Sequence, residues 1–480
     1  MAGLSLVRYM GSLLLLPTGS PPSDMLPSRS ALIAPVCAWL ALCALRARAQ
    51  EPRPASEPRT EKQSPAPAGE ALTLEHAVSL AAERNETALS AQARAEAAEA
   101  RVARARAFFF PRLTLSSTYT RRQVELTRQV GEQEVVLQRL NALGGQGLAR
   151  ITLFDARGFP LYQAARHEGD ATALDAVEIR RQLAFQAANG FLATLSAQQV
   201  AEAAERRLAF ARQAHEEARA RAQAGLASSN DVTRAELEVA NAEAQLAEAQ
   251  GQALTSRLEL GYLLVEPVEG PLAAPDVLLT EASRPVDSFV GLAEKAEERR
   301  PDILSARLRV QAQEALAREP LARLFPVLGA SAQYRLTNEA GFTGRTGDAF
   351  FTVDLTWNLF DGGERYAERR ERLALARALT LDTTARTRRV DVAVERANVA
   401  LRTAQAALDR SELAVKAARQ NAQETGILYR QGLTSSLAVS DALLRQFEAE
   451  VALARARYAL GSGLLELRAA VGLDPLGKEL

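Results

Sequence analysis

Thiols, imidazoles and aromatic rings are scarce in this 480-residue sequence. The two cysteines, Cys37 and Cys43, both lie in an apolar N-terminal stretch read below as an export signal, so the mature chain would hold no thiol. That excludes disulfide staples, thiolate metal sites and cysteine nucleophiles. The three histidines, His76, His167 and His215, are far apart in sequence, which argues against a His-rich metal site. Net charge is missing as well. Lys plus Arg total 58 and Asp plus Glu total 58, leaving no bulk electrostatic attraction to nucleic acid. There is no Gly-rich phosphate loop, no Gly-x-Ser-x-Gly elbow and no His-Glu-x-x-His pair, so neither enzymatic activity nor a bound cofactor or metal is expected. The acidic residues are interspersed with arginines at helical spacing, the pattern of solvated faces with three- and four-residue ion pairs. Aromatics make up only 5% while alanine supplies roughly a fifth, as in long, closely packed helices.

The N-terminus reads as an export signal. From Met25 come Arg29, an apolar run from Ala31 to Leu45 and then Ala47-Arg48-Ala49 before Gln50, the charged, apolar, small-x-small order of a secretory signal. The run is short of the roughly 20 apolar residues that span a bilayer. Residues 1–49 are therefore assigned to the signal, with Met25 a plausible true start. Leu42 and Val36 stand where a lipid-attachment box needs a small residue, so acylation is not expected. Cleavage after Ala49 removes four of the 58 basic residues and one of the 58 acidic ones, for a net charge of about −3. Residues 50–70, rich in Pro, Glu and Ser, read as a flexible leader.

The rest of the chain repeats itself. Glu83-Arg84 recurs as Glu298-Arg299, Phe110-Pro111 as Phe325-Pro326, Leu153-Phe154-Asp155 as Leu359-Phe360-Asp361, and Gly225-Leu226-Ala227-Ser228-Ser229 as Gly432-Leu433-Thr434-Ser435-Ser436. Four landmarks in the same order indicate a tandem duplication, with repeats at 71–285 and 286–473 and a tail at 474–480.

Each half opens with a helical stretch, Leu72 to Ala107 or Val290 to Arg318, which the Phe-Pro pair ends. The pattern then changes to period two. Leu113, Leu115, Ser117 and Tyr119 alternate with Thr114, Ser116, Thr118 and Thr120. Phe351, Val353, Leu355, Trp357 and Leu359 alternate with Thr352, Asp354, Thr356 and Asn358. Each half thus offers two strands of about ten residues joined by a polar loop, Gln129 to Gly147 or Asn338 to Gly347. That length suits a tilted strand crossing a bilayer, with the polar face toward a water-filled lumen. Four strands cannot close a barrel and open edges are not tolerated in lipid, so several chains must contribute; three would supply twelve strands.

The remaining elements are rods. Nothing interrupts the helical pattern from Pro160 to Gln223 or from Glu364 to Arg430, each extending on the order of 100 Å. In the second rod Val390, Val394, Ala397, Leu401, Ala404, Leu408, Ser411 and Val415 follow the alternating four- and three-residue steps of a coiled-coil seam. Gly225 and Gly432 suit left-handed helix caps. Ser228, Ser229 and Asn230, or Thr434, Ser435 and Ser436, offer N-caps for returning helices over Asp231–Leu263 and Leu437–Val471.

These features together resemble the TolC-like outer-membrane efflux protein family over nearly all of Leu72 to Leu473. The resemblance is carried by Leu72-Thr73-Leu74-Glu75-His76-Ala77, Arg300-Pro301-Asp302-Ile303, the Phe-Pro junctions, Trp357-Asn358-Leu359-Phe360-Asp361-Gly362-Gly363 and the two Gly-Leu-x-Ser-Ser turns. It implies a mainly α fold with membrane β: a homotrimer forming a twelve-stranded barrel in the outer membrane above a periplasmic α-helical tunnel. It further implies a passive exit duct served by a periplasmic adaptor and an inner-membrane pump, here expected to be proton-driven. The Gly-Leu turns, Gly225, Leu226 and Ala227 with Gly432, Leu433 and Thr434, would receive the adaptor.

The resemblance also implies a closed periplasmic entrance. Family members keep an Asp nine residues beyond the second turn glycine, where Asp441 stands; Ala438 occupies the place of a second Asp, and Leu437 resembles the Leu ring of multidrug-efflux members. Asp231 and Arg234 hold the corresponding first-half positions. Three converging carboxylates would repel one another and attract cations, and three leucines would form a dewetting constriction. Without the resemblance, Asp441 reads as an early-turn acidic residue favoured by the helix dipole and Leu437 as a core residue. Two other functions fit parts of the pattern. The outer-membrane component of type I protein secretion would use the same duct. A secreted coiled-coil scaffold would account for the helices and the signal but not for paired strands with one apolar face.

Overall fold

Polar caps, proline and glycine set the element boundaries. The computed structural model describes residues 71–130, 133–285, 290–339 and 345–479; the expected signal and leader lie outside the described residues. Thr73 starts α1 (Leu74–Arg84) by accepting from the His76 N–H at 3.2 Å. Asn85 then separates α1 from α2 (Glu86–Arg106): its side chain accepts from the Thr87 N–H at 2.9 Å and donates to the Leu263 carbonyl at 3.1 Å. The helix expected without interruption from Leu72 to Ala107 is therefore two, because a tertiary partner holds Asn85 in a capping conformation.

A 3-10 turn, Ala107–Phe109, precedes Pro111 and the first strand, β1 (Arg112–Arg121). A short hairpin follows, β2 (Leu126–Val130) and β3 (Gln133–Gln138), and then the long β4 (Asn141–Phe154). Most of the segment expected as a loop from Gln129 to Gly147 is thus strand. Its glycines escape a composition-based reading because neighbours supply the missing side chains: Gly147 lies between Leu115 and Tyr334 in the register, with Leu115 Cδ2 3.6 Å from where a Cβ would sit. The first half ends with α3 (Gly158–Gln223), α4 (Ser229–Leu264) and the short α5 (Asp276–Ala282), the last not anticipated from sequence.

The second half repeats the plan with α6 (Val290–Arg299), α7 (Pro301–Ala322), β5 (Val327–Thr337), β6 (Gly347–Thr356), α8 (Glu364–Arg430) and α9 (Ser436–Val471). Pro301 at the first turn of α7 splits the helix expected from Val290, and α7 runs past Arg318 to Ala322. β6 stops at Thr356 rather than Leu359; the Trp357 indole N–H instead donates to the Leu324 carbonyl at 3.0 Å. The repeated Leu-Phe-Asp landmark turns strand into rod. Asp155 accepts from the Arg157 N–H at 2.9 Å, and Asp361 accepts from the Gly363 N–H at 3.1 Å and Arg365 Nε at 2.7 Å.

Strands β1-β4-β5-β6 form one antiparallel sheet in that order. The register puts Leu115, Gly147, Tyr334 and Ala349 in one row, and Leu113, Ala149, Ala332 and Phe351 in another on the same face. Alternate rows carry Ser116, Gln146, Arg335 and Asp348, or Arg112, Arg150, Ser331 and Thr352. Because side chains alternate across a strand, one face is apolar and the other largely polar. Leu113, Leu115, Tyr119, Phe351, Val353 and Leu355 are all exposed on the apolar face, and β1 and β6 each leave one edge unpaired.

The helices α3 and α8 contain 66 and 67 residues, each about 100 Å long. Val390, Val394, Ala397, Leu401, Ala404 and Val415 of the expected seam are buried. The main core lies partway along the rods, where α1, α5 and α6 wrap them: Phe191, Leu260, Leu264, Ile303, Leu401, Leu460 and Leu465 are its largest fully buried apolar members. Arg181, paired with Glu178 at 2.8 Å, donates to the Ala469 carbonyl at 3.0 Å and so fastens the end of α9. No helix among the described residues is long and apolar enough to cross a membrane; the apolar surface of membrane-spanning length lies on the sheet.

Candidate functional site

The ends of the two helical hairpins, far from the sheet along the rods, collect every residue singled out by the repeated Gly-Leu turn. Both rods stop in the same way. Gly225 adopts φ 74°, its N–H donating to the Ala222 carbonyl at 3.0 Å and the Leu226 N–H to the Arg221 carbonyl at 2.8 Å. Gly432 adopts φ 79°, with Gly432 N–H to Tyr429 at 2.9 Å and Leu433 N–H to Leu428 at 2.9 Å. This is the six-to-one, five-to-two pairing of a Schellman cap, which requires a left-handed residue where each glycine stands. The leucine after each glycine normally packs back onto its helix. Here Leu226 and Leu433 are 71% and 70% exposed, so each turn offers an apolar knob to solvent.

The returning helices start on serines. Ser228 and Asp231 form a reciprocal capping box at the start of α4, and the Ser435 side chain accepts from the Ala438 N–H at the start of α9. Asp231 has a second task. The Ser436 hydroxyl, on the other hairpin, donates to its carboxylate at 2.6 Å. That bond first, and then the Ser228 hydroxyl and N–H, hold the Asp231 carboxyl below its ordinary value.

Two further ties join the hairpins. Arg221 donates to the Tyr429 carbonyl and stacks its guanidinium 4.8 Å from the Tyr429 ring centre. The Tyr429 hydroxyl is buried with no hydrogen-bond partner among the described residues, and burial raises its pKa. About 20 Å further along α9, Glu450 accepts from Arg206 of α3 at 2.9 Å and from Arg419 of α8 at 3.0 Å. Burial pushes the Glu450 carboxyl upward, but Arg206, Gln446 and Arg419 together hold it below the usual carboxylate range.

Leu437 and Asp441 occupy successive turns of α9 on one exposed face, Leu437 being 60% exposed and the Asp441 side chain 55%. Leu437 is therefore not a core residue of the single chain. Asp441 accepts from Arg445 Nε at 2.9 Å, so its charge has a partner one turn away. Asp231 belongs to the tie between hairpins. Tyr429, Arg221 and Glu450 were not singled out by sequence, and Ser436 only as a candidate N-cap, a task that Ser435 performs; their importance arises only when helices distant in the chain are laid side by side.

A sequence model of the outer membrane efflux protein family matches residues 77–264 and 292–473. The chain belongs to the outer membrane efflux protein family. This efflux protein is accordingly a protein of the outer membrane and not an enzyme. No curated protein sequence matches it. Among solved structures it is similar in fold to the outer membrane protein VceC of Vibrio cholerae, with a TM-score of 0.69 and 19% identity over 84% of this chain and 96% of that one. It is also similar to a membrane protein of Pseudomonas aeruginosa, with a TM-score of 0.71 and 20% identity over 84% and 90%. The open state of the Neisseria gonorrhoeae MtrE outer membrane channel gives 0.69 and 19% over 85% and 90%.

Proposed function

We propose that this efflux protein is a passive exit duct, formed by three copies of the chain, that carries solutes from an inner-membrane pump and periplasmic adaptor to the outside. The observation that carries the reading is the four-stranded sheet, bilayer-spanning in length, with an exposed apolar face and both edges open. In lipid such edges must be paired, and copies joined β6 to β1 keep the antiparallel order while closing twelve strands. Exposed Leu254, Leu258 and Tyr262 on α4, and Val392 and Val399 on α8, fit helix faces covered by neighbouring copies.

At the far end, the face bearing Leu437 and Asp441 would turn toward the threefold axis, three leucines making a dry constriction beside three Asp441–Arg445 pairs. Adaptor hairpins would seat on Gly225, Leu226 and Ala227 and on Gly432, Leu433 and Thr434, gripping the two exposed leucines. Opening then requires α8 and α9 to swing outward, releasing Ser436 from Asp231 and Tyr429 from Arg221 while Glu450 serves as the pivot. That a related fold exists in a state described as open, the Neisseria gonorrhoeae channel, is consistent with two positions of these hairpins.

Planar-bilayer recording tests the reading. Conductance of the Leu437→Ala, Asp441→Ala variant should rise well above that of wild type, and an unchanged value refutes the gate. A purified chain that is monomeric and soluble without detergent refutes the duct.

A further inference from the structure

Arg112 and Arg150 are directly opposite one another in the β1–β4 register, on the polar face of the sheet and at its helix-proximal end. Like charges so placed, with Cβ atoms about 5 Å apart, oppose strand pairing. Both side chains are exposed and neither has a hydrogen bond or ion pair among the described residues. The pair is not isolated. Just below it, a cavity of about 380 Å³ between α2 and α3 is lined by Arg112 together with Arg101, Arg104, Phe108, Leu161 and Glu168. Arg101 and Arg104 are likewise exposed and unpartnered among the described residues, whereas Glu168 is already engaged by Arg309 at 3.6 Å. The acidic residues on the same sheet face are Asp348 and Asp354, both on β6 and so separated from Arg112 and Arg150 within the chain by intervening strands.

We infer that this cluster is an anion-binding collar inside the duct, where barrel meets tunnel, and that it biases the duct toward anionic solutes, favouring organic anions with an apolar body. The inference rests on the exit-duct reading, which places the polar sheet face around a lumen. Three copies would bring twelve guanidinium groups, from Arg101, Arg104, Arg112 and Arg150, to one level of that lumen. A neighbouring β6 would lay Asp348 and Asp354 beside β1, which still leaves cationic groups in excess. Guanidinium forks match carboxylate, sulfonate and phosphate oxygens, and rings of arginine select anions in pores. Phe108 and Leu161 give the cavity an apolar wall against which the body of such an anion can lie.

The test is the reversal potential of the reconstituted trimer in a KCl gradient, recorded in a Leu437→Ala background that leaves all charges in place. The collar predicts that Arg104→Gln, Arg112→Gln, Arg150→Gln together lower the chloride-to-potassium permeability ratio at least threefold, while the three Arg→Lys replacements preserve it. Micromolar naphthalene-1,5-disulfonate should block the parent channel and fail to block the Gln variant. Heat-modifiable migration on gels confirms that each variant has folded. Conducting trimers whose ratio and block do not respond to the Gln replacements overturn the collar and leave the duct standing. Absence of any conductance in folded trimers overturns both.

Discussion

The Ser436 hydroxyl of one hairpin donates to the Asp231 carboxylate of the other at 2.6 Å, across 205 residues of sequence and between the two Gly-Leu turns. Asp231 is at the same time the N3 residue of its own capping box, so loss of its carboxylate, unlike loss of the Ser436 hydroxyl, also loosens the start of α4. Ser436→Ala removes the tie alone. It should favour the open hairpin by about 1 kcal/mol, roughly fivefold in the open-to-closed ratio, read as open probability in bilayers. Asp231→Ala combined with Ser436→Ala should add little to Asp231→Ala by itself, because both changes break the same bond.

Acid should act on the same tie with a defined sign. Asp231 has a folded pKa held below its ordinary 3.8, chiefly by Ser436. Its contribution is fully present above about pH 4 and is lost as pH falls through the lower folded value. Open probability should therefore be insensitive to this group from neutral down to about pH 4 and rise below it. In Asp231→Asn that low-pH rise should be absent.

Glu450 anchors three helices at once. Glu450→Ala strands two guanidinium groups that are half in solvent, so the expected loss is about 2 kcal/mol, less than for a wholly buried pair. Circular dichroism melting of the helices should show a lowered midpoint, with Glu450→Gln intermediate because it can still accept one bond.

The turn glycines and the leucines after them should separate by phenotype. Gly432→Ala forces an alanine to φ 79° and should cost about 1 kcal/mol locally, seen as faster amide exchange around the turn. Leu226→Ser with Leu433→Ser alters no backbone requirement and exposes less apolar surface. It should leave trimer stability and basal conductance intact while abolishing efflux in cells; retained efflux would remove these leucines from the docking surface.

A cysteine placed at 437 reports on the axis directly. Cys37 and Cys43 both lie in the expected signal, so Leu437→Cys should be the sole thiol of the processed chain. If three copies converge there, mild oxidation should give disulfide-linked dimers on denaturing gels, since a bridge requires Cα atoms within about 7 Å. Cysteine at Leu254 serves as the off-axis comparison.

The rods, their glycine stops and the alternating strands were legible because each depends on neighbours in sequence: an uninterrupted helical pattern, a left-handed cap, a two-residue period. The short hairpin β2–β3 was not. Its base is pinned by Arg122 and by the Arg139 N–H, both donating to Glu339 of the other half, which no local pattern announces. The break at Asn85 depends on the Leu263 carbonyl in the same way. At the hairpin tips, sequence pointed to glycine, leucine and aspartate through their repeated spacing. The tie through Ser436 and the stacking of Arg221 on Tyr429 pair one repeat with the other, and self-comparison of a duplicated chain aligns such partners with their counterparts rather than with each other.

The unpaired borders of β1 and β6 bear on how the protein is made. A newly exported copy crosses the aqueous space between the membranes carrying two adhesive strands and a greasy sheet surface, and it can hide neither until it meets two siblings. Biogenesis should therefore depend steeply on copy number and on escort by periplasmic chaperones, and the species most prone to aggregate is the lone subunit in transit.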